Sequence, residues 1–461
     1  MHILYVTSII LNNVASGCKL QKGMVIQMRK KYAGYIFPSM LSFLLTGVYS
    51  IVDGIFVGRA MGDPGLAAIN IAWPLVALII SLGTGIGMGA AVVVSLNRGA
   101  GNEKKAIRTE GNAFFLLLFS SVLLTLILYF FGEPMLELLG AKGELLPLAV
   151  TYLHYILLGG IVQVFASGLV PLMRNHGASF YAMCSMALGC ISNILLDYYF
   201  VIVLRLELRG AALATVFGQV LTLLLGIAFY LRKKNRLPLA ALRPDKDTIR
   251  SILRVAVSPF GLTYLPSITI IFMNLQALRY GGEEAVSAYA VLAYIISFME
   301  LLVQGIGDGS QPLLSLSQGS NDKKSLKAYA RWTFFLGISF GVAGAVIFYL
   351  VRNILPIFYG TSALAAEYII HATPAFSLVM ALYGFTKPVV SYLYATHRVL
   401  RSNLLVYGEI ILTLVFILVL PFFLGLDGVW YTIPAVQVVL AVSGLILISP
   451  LDKNSTVPSS Y

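Results

Sequence analysis

Gly85-Ile86-Gly87-Met88-Gly89 and Gly305-Ile306-Gly307-Asp308-Gly309 are one glycine ladder written twice, 220 residues apart. At the same shift Arg59 meets Arg279, Gly62 meets Gly282, Asp63 meets Glu283, Ser95 meets Ser315 and Gly99 meets Gly319; after a one-residue deletion Asn102-Glu103-Lys104-Lys105 aligns with Asn321-Asp322-Lys323-Lys324. An internal repeat of this size in a very apolar chain predicts two similar helical bundles facing each other across a site.

Composition identifies the solvent. The 461 residues are 58% hydrophobic and 11% charged, with mean hydropathy +0.86. That is too little polar material to cover a soluble particle, so the outer surface faces lipid. Apolar runs near the roughly 20 residues needed to cross a bilayer fall at 33–58, 66–96, 110–131, 147–173, 181–203 and 210–231, then at 255–278, 285–316, 330–351, 368–395, 403–425 and 428–450. The fold expected is an all-α integral membrane protein with twelve transmembrane helices in two homologous six-helix lobes. The expected division is an N-terminal segment 1–31, an N-lobe 32–231, a linker 232–254, a C-lobe 255–450 and a tail 451–461.

The net charge of +12 does not point to nucleic acid, because the basic residues alternate between loops. One side carries 25 of the 32 Lys and Arg residues, including Lys30, Arg98, Arg174, Arg236, Lys323, Arg398 and Lys453. By the positive-inside rule that side is the cytoplasm, with both termini and the 232–254 linker on it. Residues 1–23 read poorly as a signal peptide, since Ile3 to Leu11 is short and no basic residue precedes it; Met24 or Met28 would serve equally well as a start. Cys18, Cys184 and Cys190 lack paired spacing. No phosphate-binding Gly-x-x-x-x-Gly-Lys-Ser/Thr occurs, and the scattered histidines lack a metal-binding i, i+4 pair.

The chemistry therefore falls to ionisable residues inside spans, where a charge costs about 2.5–3.5 kcal/mol on insertion scales: Asp53, Asp197, Glu300, Asp308 and Lys387. Counting 1.5 Å per residue from helix ends places Asp53, Asp197 and Thr215 roughly 7–9 Å below the outer boundary. Asn193, one turn before Asp197, shares its face. Two carboxyls, an amide and a hydroxyl at one depth can share a proton, ligate a cation such as Na⁺, or simply brace the helices. Asp308 and Lys387 lie at similar depth and are expected to form a buried pair, an inner gate or a substrate contact, with Glu300 competing for the lysine. Tyr49 and Tyr152 either wall a site for planar cations or pack. The glycine ladders mark a lobe interface or a kink.

The segments Ser50-Ile51-Val52-Asp53-Gly54-Ile55-Phe56-Val57-Gly58, Gly99-Ala100-Gly101-Asn102, Asn193-Ile194-Leu195-Leu196-Asp197 and Gly210-Ala211-Ala212-Leu213-Ala214-Thr215 together resemble the multidrug and toxic compound extrusion (MATE) transporters, over about residues 30–450. Among these the chain looks most like the DinF-like branch, whose helix-1 aspartate follows a helix-bending proline, here Asp53 and Pro38. The resemblance implies a coupling site for H⁺ or Na⁺ at Asp53, Asn193, Asp197 and Thr215. It further implies a V-shaped pair of bundles, export of amphipathic or cationic compounds, no ATP and no cofactor. The NorM-like second-lobe carboxylates are missing from helices 7 and 10, which offer only Glu367 and Lys387; the repeat puts Met273 at the position of Asp53 and Val415 or a near neighbour at that of Asp197.

The expected protein is thus a monomeric secondary antiporter of the cytoplasmic (inner) membrane, exchanging small organic substrates for H⁺ or Na⁺. A flippase for lipid-linked oligosaccharides is a rival, but a pyrophosphate would need several basic residues in the central cavity, and only Lys387 is placed there. An intramembrane lipid-modifying enzyme is the rival from another class; its reactive groups belong at the membrane surface, whereas these acids lie deep.

Overall fold

The computed structural model describes residues 25–448, apart from the Asp63 side chain. Cys18, Lys453, the two ends of the proposed cytoplasmic segments and the alternative start at Met24 lie outside the described residues. Ten helices are each long and apolar enough to cross a membrane, and Leu145–Leu158 with Gly160–Asn175, bent by 60°, adds another. Lys246–Gly319 is one of the ten, yet its path breaks at Gly282. The result is twelve spans: α1 (Val25–Gly62), α2 (Pro64–Gly99), α3 (Glu103–Leu138), α4 (the bent pair 145–175), α5 (Ser179–Val203), α6 (Glu207–Leu231), α7 (246–281), α8 (283–319), α9 (Lys323–Val351), α10 (Ala363–Ala395), α11 (Val399–Leu424) and α12 (Leu426–Ile448).

The repeat is visible in the backbone. Gly62 (φ 66°) separates α1 from α2 and Gly282 (φ 71°) separates α7 from α8, a left-handed region that a side chain would disfavour. Thus the two matched glycines let two spans follow one another almost without a loop. α7 starts at Lys246, inside the stretch read as linker; Asp245 caps it by accepting from the Thr248 N–H at 3.2 Å, and the Thr248 hydroxyl and N–H hold the Asp245 carboxyl below the usual carboxylate range. The remaining linker is clasped to α3: Asn112 Nδ2 donates to the Arg243 carbonyl at 3.2 Å and its Oδ1 accepts from the Asp245 N–H at 2.7 Å.

The glycine ladders have two faces. On α2, Gly83 and Gly87 lie against Val164 and Gly168 of α4, in the same lobe, whereas Gly85 and Gly89 lie against α7 of the other lobe. A Cβ on Gly89 would come 2.7 Å from the Ile252 carbonyl oxygen, and one on Gly85 2.8 Å from Phe260 Cβ. α8 repeats the arrangement: Gly307 faces Ser391 of α10, while Gly305 and Gly309 face Met40 and Ser39 of α1. The ladders are therefore a lobe interface, with no non-helical dihedral inside either one. At the end bearing the basic loops the contact tightens to backbone on backbone, Gly99 against Leu316 and Gly319 against Leu96. Asn175 Nδ2 donates across the same seam to Gln311 Oε1 at 2.9 Å.

α1 runs through Pro38 with helical dihedrals. Ser42 donates to the Pro38 carbonyl at 2.8 Å, Thr46 to Ser42 and Ser50 to Thr46, each at 3.0 Å. This hydroxyl ladder shares carbonyls beside the bond that the proline ring removes.

A side chain at Gly99 has no room in this closed seam. In Gly99→Val, a cysteine introduced at buried Ser95 is expected to react with an impermeant maleimide from the basic side, while remaining protected in the parent and in Gly54→Ala, where a Cβ meets nothing within 4 Å. Unchanged protection in Gly99→Val would show that the seam does not depend on this contact.

Candidate functional site

Within the N-lobe, Gly189 and Gly218 let α5 and α6 approach closely: a Cβ on Gly218 would sit 2.7 Å from the Gly189 carbonyl oxygen and 3.2 Å from Asn193 Cβ. That approach brings Asn193 Nδ2 to Thr215 Oγ1 at 3.4 Å. One turn further along α5, fully buried Asp197 lies beside Asp53 of α1. Carboxyls meet in this way only with a proton or cation between them. Among the described residues, both Asp197 oxygens, Asp53 Oδ1 and Asn193 Oδ1 are buried without a protein donor. α5 widens into a π-helical turn, Tyr198–Val203, directly after Asp197. Tyr49 faces the central cavity, whereas Tyr152 is buried in the N-lobe core beside the carboxyl pair and does not line the cavity.

The central cavity, about 330 Å³, lies between the lobes on the far side of the glycine seam. Asn193 and Thr215 line it on one side and Glu300, Gln304 and Asp308 on the other, with Phe43, Trp73 and Leu262 supplying apolar wall. The coupling candidates thus border the cavity, with Asn193 and Thr215 on its surface and the carboxyl pair behind them.

The expected Asp308–Lys387 pair does not form. Lys387 lies 2.7 Å from Glu300 Oε1 and 3.3 Å from Glu409 Oε2, and 4.7 Å over the Tyr383 ring. Glu409 Oε1 also accepts from Gln437 Nε2 at 2.8 Å. Asp308 Oδ1 instead accepts from the Tyr394 hydroxyl at 2.9 Å. Depth counted from helix ends placed Asp308 beside Lys387, but the ends are not level: Gly307 of α8 faces Ser391 of α10. Lys387 and Tyr394, two turns apart on α10, therefore each reach acids on parallel α8 that lie farther from the basic end.

Three ionisable groups, Glu110 and Arg174 buried and Glu409 half-buried, escaped the sequence reading. Glu409 sits inside the apolar run 403–425, so the rule that selected Asp197 would have found it. Glu110 opens the run 110–131 and looked like a boundary residue; it is buried, with His176 Nε2 at 2.5 Å, the Tyr230 hydroxyl at 2.6 Å and Arg98 at 3.4 Å. Arg174, counted with the loop cations, is buried in the last turn of α4 and lines the central cavity, while Lys387 faces a smaller C-lobe pocket. Arg174, and not Lys387, therefore brings positive charge to the central cavity.

The sequence profile of the MatE family matches residues 38–199 and 259–425, one segment in each lobe. The chain belongs to the MATE family. It is accordingly a multi-pass membrane transporter and not an enzyme. Among relatives, it is 25% identical over 425 residues to the multidrug export protein MepA of Staphylococcus saprophyticus, covering 91% of this chain and 93% of that one. It is 24% identical over 430 residues to MepA of Staphylococcus aureus, at 92% and 94% coverage. The fold matches a MOP superfamily transporter from Pyrococcus furiosus and an outward-facing multidrug resistance MATE transporter, each with a TM-score of 0.85, 24% identity and coverage of 91% and 94%.

The Lys387 cluster yields a stability test in this MATE protein. Lys387→Met strands two carboxylates in the C-lobe and is expected to cost about 3–5 kcal/mol, whereas adding Glu300→Gln and Glu409→Gln restores most of the loss. Asp308→Asn, which keeps an acceptor for Tyr394, should cost far less. Denaturant titration in mixed micelles reads all three variants; equal losses in the single and triple variants would contradict the pairing.

Proposed function

We propose that this MATE protein is a monomeric secondary antiporter that exports small amphipathic or cationic organic compounds across the cytoplasmic membrane in exchange for H⁺ or Na⁺. The observation that carries the reading is the cluster of four donorless buried oxygens on Asp53, Asn193 and Asp197 at the edge of the cavity. A proton or a small hard cation is the ligand such a set lacks. The export function of the MepA relatives agrees with it. The 25 basic residues on the side of the linker support placing both termini in the cytoplasm, so the glycine seam faces inward and the cavity outward.

α1 connects ion to substrate. Its outer half holds Asp53, its middle faces the cavity through Thr46 and Tyr49, and its inner half supplies Ser39 and Met40 to the seam. Neutralising the carboxyl pair removes repulsion between α1 and α5 and frees α1 to bend at Pro38. Exchange follows if the ion favours the closed seam while substrate favours the opposite conformation, since a ligand shifts an equilibrium only by its differential affinity.

Ethidium efflux from proteoliposomes under separately imposed H⁺ and Na⁺ gradients tests this reading and names the ion. Asp53→Asn, which mimics a permanently neutral carboxyl, is expected to insert at normal levels yet lose gradient-driven efflux, with Asp197→Asn similarly impaired. Wild-type efflux in Asp53→Asn under either gradient would remove the pair from the mechanism.

A further inference from the structure

The coupling reading leaves one buried charge in the cavity unused. Arg174 is 2% exposed, occupies the last turn of α4 beside the Asn175–Gln311 bond, and lines the closed end of the cavity. Its recorded side-chain contacts are soft: Met186 Sδ at 3.8 Å and the Phe43 ring at 5.6 Å. Among the described residues no carboxylate lies within 4.0 Å of it. Asp308, across the lobe interface, lies beyond ion-pair distance and accepts from the Tyr394 hydroxyl through Oδ1 at 2.9 Å. Glu300, the other acid on the wall, is held by Lys387 at 2.7 Å.

A guanidinium carries five N–H donors in a fixed fork and keeps its charge at any relevant pH. Held in low dielectric without an ion pair, such a group is costly unless an anion completes it. The donors face a cavity whose other wall residues include apolar Phe43, Trp73 and Leu262. The site therefore combines one fork-shaped cation with surface suited to an amphiphile.

We propose that Arg174 anchors an acidic group, a carboxylate, sulfonate or phosphate, on an amphipathic substrate, so that the cavity takes zwitterionic as well as purely cationic compounds. This rests on the cavity being the substrate site but on no assumption about ion coupling. The acid seats at the closed end against the fork of Arg174, and the apolar body lies along α1 and α7. A cationic part of the same molecule faces the polar and aromatic outer wall at Tyr49, Asn193 and Thr215.

Rhodamine B and its ethyl ester share a cationic xanthene and differ in whether the carboxylate is free. Their binding is measured by fluorescence polarisation on the purified full chain in phosphatidylcholine nanodiscs, with no gradient, so failure of coupling leaves the result interpretable. Arg174→Gln is expected to weaken the free acid roughly tenfold or more while changing the ester less than about twofold, the size of a lost charge-assisted pair. Arg174→Lys retains the charge without the fork and should lose severalfold on the acid alone; ester binding reports that the cavity remains folded in each variant. Unchanged acid binding, or equal losses for both dyes, overturns the proposal, and should the Gln variant bind neither dye, the acid-to-ester ratio in Arg174→Lys decides. Phosphatidylglycerol nanodiscs separate the sources of the acid. A loss of acid-dye affinity confined to the parent identifies a lipid phosphate as a competing occupant of the site, and an unchanged affinity identifies the free amphiphile.

Discussion

Backbone contact between the lobes, made possible by matched glycines, is the constraint on which the rest of this structure depends. Lipid tails are as apolar as the helices, so burial from water does not drive the lobes together within the bilayer. Gly85 and Gly89 admit α7, Gly305 and Gly309 admit α1, and Gly99 and Gly319 meet the backbone of the opposite helix of the seam. Each lobe thereby grips the first helix of the other. The cavity exists because this grip is confined to the basic end, and α1 matters because it belongs to the seam, the cavity and the carboxyl pair at once.

The buried charges divide by how completely the protein satisfies them. Glu110 is surrounded by His176, Tyr230 and Arg98, and Lys387 by Glu300, Glu409 and the face of Tyr383. These clusters neutralise their own charges and fix helix positions. Arg174 on the cavity wall and the Asp53–Asp197 pair behind it differ: among the described residues neither has an opposite charge within ion-pair distance. In a low-dielectric interior, incomplete groups of this kind are where ligands of opposite charge gain most.

Divergence between the lobes follows the same division. The two halves keep the glycine ladder, the short break at Gly62 and Gly282, and the order of helices. They do not keep all of their polar groups. The position that matches Asn175, whose amide crosses the seam, is Ala395, and the position that matches Gln311 is Ala91. The N-lobe holds two acids without a cation, while the C-lobe holds two acids around a lysine. A twofold scaffold has thus become a molecule with different chemistry on its two sides.

The sequence by itself determined the twelve spans, their pairing by repeat, the family resemblance and the common depth of Asp53, Asn193, Asp197 and Thr215. These properties are linear along a helix, because each residue advances the chain by 1.5 Å and apolar length measures the bilayer. What only the tertiary structure decided is which groups of equal depth touch. Asp308 and Lys387 were level in the count yet took different partners, Glu409 and Tyr394 entered unannounced, and Arg174 moved from a loop tally to the cavity wall. Partner choice depends on the rotation of each helix about its axis, on how far neighbouring helices are shifted along each other, and on the closeness that glycines allow between backbones. Those quantities arise from packing several helices together, and no single span encodes them.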